Sequence, residues 1–360
     1  MNQAAPNDTS ARPPSGLKRR FLGKLAGAMG PLLALVVVTL AFAIADYARS
    51  GEDSTFNTAG TAIYVGTQSV VVGTAALGML MIIIAGGIDL SVGNAIAVCA
   101  VVLALAIRAE LGIASAIALA IGVGVAGGLL NGVLITSLRV VPFIVTLGTM
   151  SFYLGLAKFL GDENTIRPKL TLIPSWVSRL MNPAGEFAPG VDPDWIVPYL
   201  LPRFVPGVWL LLGLAIVTSI VLHRTVFGRY VFAVGSNEAT ARLCGVNVAA
   251  VKVAVYTSAG FLVGLAGVFQ FARLSIGNPT SGRGLELQVI AAVVVGGASL
   301  NGGRGNVLGT LAGTVLMVVI ERGGSALGFN TSIQDMLLGG IIVAAAAIDQ
   351  LRQRRLAGAV

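Results

Sequence analysis

Long apolar runs alternate with short polar or glycine-rich segments along almost the whole chain. Ten of these runs approach the roughly 20 residues that a helix needs to cross a lipid bilayer. They cover residues 25–46, 62–85, 90–107, 113–137, 142–160, 207–222, 250–272, 285–299, 306–321 and 333–349. The pattern predicts an all-α membrane protein with about ten transmembrane helices, which form one membrane domain over residues 25–350.

Basic residues are unevenly distributed between the two sides of this arrangement. If both termini are cytoplasmic, the cytoplasmic segments are 1–24, 86–89, 138–141, 223–252, 300–305 and 350–360, and they hold fourteen of the 24 Lys and Arg residues. Because cytoplasmic loops of membrane proteins are enriched in Lys and Arg, this distribution predicts cytoplasmic N- and C-termini. It also explains the net charge of +8 as a signal of membrane topology, so we expect no nucleic acid partner.

The two ends of the chain are polar and basic. Residues 1–24 predict a disordered cytoplasmic tail, and residues 351–360 a second basic tail. The basic stretch at 18–24 and the apolar run after it resemble a signal peptide, but the run is long and more spans follow. We therefore expect an uncleaved first span, with cleavage as the alternative.

A single carboxylate, Asp89, interrupts the apolar sequence "MIIIAGGIDLSVGNAIAV". A charge at the middle of the bilayer costs roughly 2.5 kcal/mol or more. The pair Gly86 and Gly87 should end one helix, and Asp89 should cap the next by accepting the N–H of Ser91 or Val92. The alternative is that this break lines a solute pathway, where irregular backbone is tolerated. A cap and a pathway contact are compatible with each other.

A similar stretch, "VVVGGASLNGGRGNVLG", occurs at residues 293–309. It shares with the first an apolar run and a glycine pair, which suggests a duplicated element of the kind common in transporters. It lacks the Lys and the Ser or Thr of a nucleotide-binding loop, and no metal-ligand spacing is present. We therefore expect this chain to bind no cofactor.

Polar and aromatic residues within the predicted spans are candidates for the lining of a pathway. They include Asn131, Phe143, Thr146 and Gln288. Hydrogen bonding between neighbouring helices is the alternative role for the polar members of this group.

The largest predicted cytoplasmic loop, residues 223–252, contains a short helix over 237–244. Ser236 or Asn237 provides the N-cap, Glu238 and Arg242 are spaced for an ion pair, and Gly245 suits the C-terminal end. The residues Ala239, Leu243 and Val246 repeat on one face. Such a helix could lie on the lipid surface or dock into a soluble partner, and its small apolar face favours docking.

Four segments closely resemble the permease subunits of bacterial ABC sugar importers of the ribose, xylose and arabinose type. They are "GGIDLSVG", "VPFIVTLGTM", "FGRYVFAVGSNEATARLCGVNV" and "IAAVVVGGASLNGGRGNVLGTLAGT", and the resemblance covers about residues 60–350 apart from 161–206. It implies a ten-helix subunit of the bacterial inner membrane, surrounded by membrane lipid, that transports a monosaccharide and is not itself an enzyme.

The resemblance also implies three protein partners. These are a second permease copy or a paralogue, a cytoplasmic ABC ATPase that uses the ATP, and a periplasmic sugar-binding protein. The "NEATARLCG" stretch is similar to the segment that couples such permeases to their ATPases. Alternative functions are an ABC permease for a nucleoside or another small polar solute, and a self-contained ion-coupled carrier, which would need ionisable residues such as Asp89, Glu286, Glu321 or Asp335 within the membrane.

The predicted extracytoplasmic loop at 161–206 departs from the family pattern by its length. It carries eight of the 14 prolines and two tryptophans, Trp176 and Trp195. The sequence "PSWVSRLM" within it predicts a short interfacial helix with Trp176, Val177 and Leu180 on one side. The loop could help to dock the binding protein, or it could be an insertion without a role.

Overall fold

The computed structural model describes residues 15–181 and 205–357, and these residues form α-helices without any β-strand. Thirteen α-helices are described: α1 Ser15–Ser50, α2 Ala59–Ile84, α3 Val92–Arg108, α4 Ile113–Leu138, α5 Pro142–Leu160, α6 Ser175–Arg179, α7 Pro206–Arg224, α8 Val226–Ser236, α9 Glu238–Leu243, α10 Val248–Leu274, α11 Leu285–Val295, α12 Val307–Ala326 and α13 Thr331–Ala357. The predicted all-α class is confirmed.

Seven of the described helices are long and apolar enough to cross a membrane: most of α1, and α2, α4, α5, α7, α10 and α12. Three shorter apolar helices, α3, α11 and the first part of α13, coincide with the other predicted spans. Helix α11 has 11 residues, so it is only about 16 Å long. It cannot cross a hydrocarbon core of roughly 30 Å alone, and the interpretation of 285–299 as one complete span is wrong.

Helix boundaries at the two ends of the chain also differ from the expected ones. Helix α1 begins at Ser15, so it includes residues 15–24 that the sequence placed in the N-terminal tail. Helix α13 continues to Ala357 and includes most of the predicted C-terminal tail. Both segments are rich in Leu and Arg, which favour helix when a helix already runs beside them. Residues 1–14 and 358–360 lie outside the described part of the chain.

Helix α2 lies at the centre of the bundle, and every residue from Thr67 to Ala85 is buried. The outer helices expose large apolar side chains, among them Leu33 and Ile44 on α1 and Ile216 on α7. A protein in a membrane buries such side chains in lipid. The arrangement therefore fits an embedded bundle with one central helix.

Helices α4 and α10 are packed backbone to backbone. Their contact is built from glycines, Gly124 and Gly128 on α4 with Gly260 and Gly264 on α10. A Cβ atom added at Gly128 would lie 2.2 Å from the carbonyl oxygen of Tyr256. Small residues at a membrane helix interface permit this close approach, and here they fix α4 and α10 against each other.

The two similar sequence stretches end their helices in the same way. Gly86 after α2 and Gly297 after α11 both have positive φ, +82° and +92°. In each case this glycine donates its N–H to the carbonyl three residues earlier, and the next residue donates to the carbonyl five residues earlier. The second stretch also contacts the first, because the Gly303 N–H donates to the carbonyl of Ile84 at 2.8 Å.

The long loop after α5 is described as far as residue 181. Ile166 and Gly277 exchange two backbone hydrogen bonds of 2.8 and 2.9 Å, which tie this loop to the segment between α10 and α11. The predicted short helix is present as α6, but Trp176 is half-exposed whereas Val177 is fully buried. The expectation that they share one side is therefore wrong, because Val177 packs into the protein core. Trp195 lies outside the described residues.

Candidate functional site

The carboxylate of Asp89 is buried in the break between α2 and α3, and each of its oxygens accepts a hydrogen bond. Oδ1 accepts from the backbone N–H of Ser91 at 2.8 Å and from the Ser91 hydroxyl at 2.6 Å. Oδ2 accepts from the side-chain amide of Asn131 at 3.4 Å, and the same amide donates to the Ser91 hydroxyl at 3.0 Å. Hydrogen bonds of this kind compensate the loss of water around a buried charge.

The predicted cap at Asp89 is correct in its hydrogen bond and wrong in its position. Asp89 accepts the N–H of Ser91, as expected. Helix α3, however, begins at Val92 and its N-cap residue is Ser91, whose side chain makes no capping bond. A short carboxylate reaches the N–H two residues ahead in a turn, so Asp89 closes the turn before the helix.

Two more helices contact this break. Thr146 on α5 donates its hydroxyl to the carbonyl of Ile88 at 3.2 Å. On the α10 side, a Cβ atom added at Gly87 would lie 2.6 Å from the hydroxyl of Tyr256. Tyr256 was missed in the sequence, although a tyrosine in an apolar span has a polar tip that needs a buried polar environment. Phe143 has a half-exposed side chain on α5, and its carbonyl accepts from the Thr146 hydroxyl at 3.3 Å.

Gln288 belongs to a second polar group, separate from Asp89. Its amide donates to one carboxylate oxygen of Glu321 at 3.0 Å, and the hydroxyl of Tyr64 donates to the other at 3.0 Å. Arg322 lies 5.5 Å from the centre of the Tyr64 ring and donates to the Thr61 hydroxyl at 3.0 Å. The group joins α2, α11 and α12. Gln288 thus makes a hydrogen bond between neighbouring helices, whereas Asn131 and Thr146 bond to the break at 88–91.

The short helix predicted within residues 223–252 is present as α9, and its ends are capped. Asn237 accepts the N–H of Thr240 at 2.9 Å, which identifies it as the N-cap rather than Ser236. At the other end Gly245 has a φ of +82°. Its N–H donates to the carbonyl of Arg242 at 3.0 Å, and Val246 donates to the carbonyl of Ala241 at 3.1 Å. These bonds complete the last turn.

The side chains of α9 divide into a protein-facing and an outward-facing set. Ala241 is buried, whereas Ala239 is exposed and Leu243 is 88% exposed. The predicted Glu238–Arg242 ion pair has an N–O distance of 3.0 Å, and Glu238 also accepts from Lys252 on α10 at 2.7 Å. Helix α9 is therefore fixed at one edge, and it presents an apolar side chain to the outside.

Helix α8, which leads into α9, contacts the break after α2. A Cβ atom added at Gly235 would lie 1.7 Å from the carbonyl oxygen of Ile84 and 2.8 Å from the backbone nitrogen of Gly303. The end of α8, the end of α2 and the second glycine-rich stretch thus meet at one point. Helix α9 is thus connected to the Asp89 break through α8, whose backbone at Gly235 packs directly on Ile84.

A multi-pass helical bundle with buried polar breaks and a rigid helix outside the apolar spans defines a membrane-embedded transport subunit. Residues 61–346 match the family described as branched-chain amino acid transport system / permease component, and the chain belongs to this family. It is the permease subunit of an ABC import system in the bacterial inner membrane, and it is a transport component rather than an enzyme.

Curated relatives match most of the chain. It is 34% identical over 279 residues to the ribose import permease protein RbsC of Escherichia coli (strain K12), which is 77% of this chain and 82% of the relative. It is 36% identical to the ribose import permease protein RbsC of Bacillus subtilis (strain 168), over 79% of this chain and 82% of the relative. It is 31% identical to the fructose import permease protein FrcC of Rhizobium meliloti, over 89% and 84%. No solved structure matches the chain.

Proposed function

We propose that this chain forms the solute pathway of an ATP-driven, binding-protein-dependent importer for a monosaccharide. The observation that carries the proposal is the similarity, over more than three quarters of the chain, to permeases named for ribose import. The relative named for fructose import points to the same solute class, because both names denote small neutral sugars. In this assembly the chain pairs with a second permease copy or a paralogue and with a periplasmic sugar-binding protein.

Helix α9 is the docking element for the separate ATPase in this proposal. Both ends of α9 are capped, and Glu238 forms ion pairs with Arg242 in the same helix and with Lys252 on α10. Together with the outward-facing Leu243, these contacts support a rigid docking helix with one apolar anchor. A few buried anchors dominate the energy of most protein interfaces. ATP is bound and hydrolysed by the partner in this arrangement, and the permease receives the motion through α9.

A self-contained ion-coupled carrier is the weaker candidate. It would need carboxylates in the membrane that can exchange ligands with a coupling ion. Asp89 and Glu321 accept hydrogen bonds through both oxygens, and Glu286 accepts one through Oε1 while its Oε2 is buried against Gly93. A permease for a nucleoside or another small polar solute remains the alternative within the ABC class.

Reconstitution tests the proposal. The permease would be purified with its ATPase, placed in proteoliposomes and supplied with its binding protein and radiolabelled ribose, fructose, uridine or leucine. We expect uptake of a sugar that requires ATP and the binding protein. Uptake without ATP that follows an ion gradient would contradict the ABC assignment, and ATP-driven uptake of uridine or leucine alone would contradict the sugar assignment.

A further inference from the structure

A cavity of about 660 Å³ lies beside α9, between the α4–α5 turn and the first turn of α10. Helix α4 ends at Leu138, α5 begins at Pro142 and α10 begins at Val248. All three helices are long enough to cross a membrane, so a cavity at their ends lies at a boundary of the membrane. Lipid headgroups and water occupy this level.

The charged side chains that line this cavity are mostly basic. They are Arg139, Arg242, Lys252 and the carboxylate of Glu238. Arg242 and Lys252 each donate a hydrogen bond to Glu238, at 3.0 and 2.7 Å. Arg139 is exposed and forms no ion pair with any residue that the structure describes. One carboxylate thus faces three basic side chains, and the cavity has an excess of positive charge.

The basic side chains also keep unused hydrogen-bond donors. A guanidinium and an ammonium each carry several N–H donors, and the bonds to Glu238 use one on Arg242 and one on Lys252. The first turn of α10 forms another wall of the cavity, and the N-terminal end of a helix favours negative charge. The cavity is therefore suited to an anion with several acceptor oxygens, such as a phosphate group.

An apolar groove of about 380 Å³ begins at the same turn and runs between α4 and α5. It is lined by residues that repeat every four positions on each helix: Leu130, Leu134 and Leu138 of α4, and Ile144, Gly148 and Phe152 of α5. Residues four apart lie on one face of a helix, so the groove follows both helix axes. Leu138 and Ile144 flank the turn that carries Arg139 into the basic cavity. The basic cavity and the apolar groove are thus adjacent.

The groove has the length of one lipid leaflet. From Pro142 at the basic cavity to Phe152 at the far end of the groove, α5 rises by about 15 Å. The hydrocarbon core is roughly 30 Å thick, so one leaflet contributes about half of it. The groove also has free space, because a Cβ atom added at Gly148 would have no neighbour within 4 Å. An acyl chain attached to a phosphate in the cavity therefore fits along α5 to the middle of the membrane.

We propose that the basic cavity and the apolar groove together bind one anionic phospholipid. Its phosphate contacts Arg139 and Lys252, and one acyl chain occupies the groove between α4 and α5. The positive charge selects an anionic headgroup, such as that of phosphatidylglycerol, over the zwitterionic headgroup of phosphatidylcholine. The groove selects a lipid over free phosphate, which has no apolar surface to bury. The site does not depend on which solute the permease transports, so the inference goes beyond the proposed function.

Native mass spectrometry of the purified, full-length permease measures the bound lipid directly. The protein in detergent would be titrated with phosphatidylglycerol, phosphatidylcholine or inorganic phosphate. We expect one phosphatidylglycerol to bind about tenfold more tightly than phosphatidylcholine, the scale of one hydrogen bond to a charged group. Inorganic phosphate should not displace it. Equal affinity for the two lipids would overturn the proposal, and displacement by phosphate would overturn the lipid assignment in favour of a free anion.

Arg139→Gln tests the contact with the headgroup. Arg139 is exposed at the end of α4, so its replacement should leave the fold intact. We expect phosphatidylglycerol to bind about tenfold more weakly, because one charged hydrogen bond is lost. The matched control Arg229→Gln removes an exposed arginine of α8 that lies outside the cavity, and it should leave the affinity unchanged. Equal effects of the two substitutions would show that only net charge matters and would overturn the site.

Gly148→Phe tests the groove. The open space at Gly148 admits a larger side chain, which would fill the groove and weaken binding of phosphatidylglycerol about tenfold. The matched control Gly213→Phe places the same side chain in open space on α7, away from the groove, and should bind as wild type does. The melting temperature confirms that each variant is folded. Wild-type affinity in Gly148→Phe would overturn the proposal. Dissociation of a permease dimer in this variant, with lipid binding unchanged, would assign the groove to a second copy of the chain.

Discussion

Glu238 accepts a hydrogen bond of 2.7 Å from Lys252, and this ion pair joins the first residue of α9 to the second turn of α10. The side chain of Lys252 is 21% exposed, so the pair is partly shielded from water. Exposed ion pairs contribute only about 0.2–1 kcal/mol to stability. The value of this pair therefore lies in the orientation that it gives to α9.

We expect Glu238→Gln and Lys252→Met to lower ATP-driven uptake while the melting temperature of the permease changes little. The physical reason is that α9 loses its fixed angle to α10 but keeps both of its caps. Uptake and melting temperature of each purified importer are the measurements. The exchanged pair Glu238→Lys with Lys252→Glu should recover part of the uptake, and a double variant no better than the single ones would show that the attraction itself is irrelevant.

Ala239 is exposed on α9, so its replacement by a charged residue tests docking directly. Ala239→Glu and Ala239→Arg should reduce the amount of ATPase that co-purifies, because each introduces a bulky charge into the proposed contact. The control is Ala250→Glu, which alters an exposed alanine on α10. Normal co-purification and normal stimulated ATP hydrolysis in both Ala239 variants would contradict docking and support the alternative that α9 lies on the lipid surface.

Gly245 ends α9 with a φ of +82°. Gly245→Val should disturb this turn, since a β-branched residue is strained at positive φ. Gly245→Asn should be tolerated much better, because asparagine adopts this conformation more readily. We expect ATPase co-purification to rank as wild type, then Asn, then Val. A Val variant equal to wild type would show that the C-terminal turn is unimportant for docking.

Asp89 is tested by shape-conserving and truncating substitutions. Asp89→Ala leaves Ser91 and Asn131 without their buried acceptor, which should cost about 1–3 kcal/mol of stability. Asp89→Asn keeps an acceptor for Ser91 and should be nearly silent in stability and in uptake. The measurements are the melting temperature and the uptake rate at matched expression. Loss of uptake in a stable, normally expressed Asp89→Asn protein would show that the negative charge itself is required.

The sequence predicted the helical class, most helix positions, and the caps and the Glu238–Arg242 pair of α9. These features depend on local spacing of apolar residues and on the chemistry of single turns. The second partner of Glu238 could not be predicted in this way, because Lys252 is 14 residues away and is brought near only by the turn after α9. Likewise, no periodicity indicates that Tyr256 covers Gly87.

The prediction of a complete span at 285–299 was wrong for a physical reason. Its apolar composition is real, but the turns of residues 275–284 take the place of the outer half of a helix. The contact of Gly282 with Gly93, which permits this, joins residues that are far apart in sequence. The burial of Val177 beside the exposed Trp176 also depends on tertiary packing. The spacing of three apolar residues along a short helix does not reveal which of them faces the protein core.

The glycine contacts between α4 and α10 give the molecule a mechanical property. Two helices whose backbones touch cannot slide past one another without steric overlap, so we expect them to behave as one rod. The N-terminal end of α10 is held to α9 through Lys252, and α4 carries Asn131 into the Asp89 break. If α9 docks the ATPase as proposed, a tilt imposed on α9 moves α4 and α10 together and shifts Asn131 relative to Asp89.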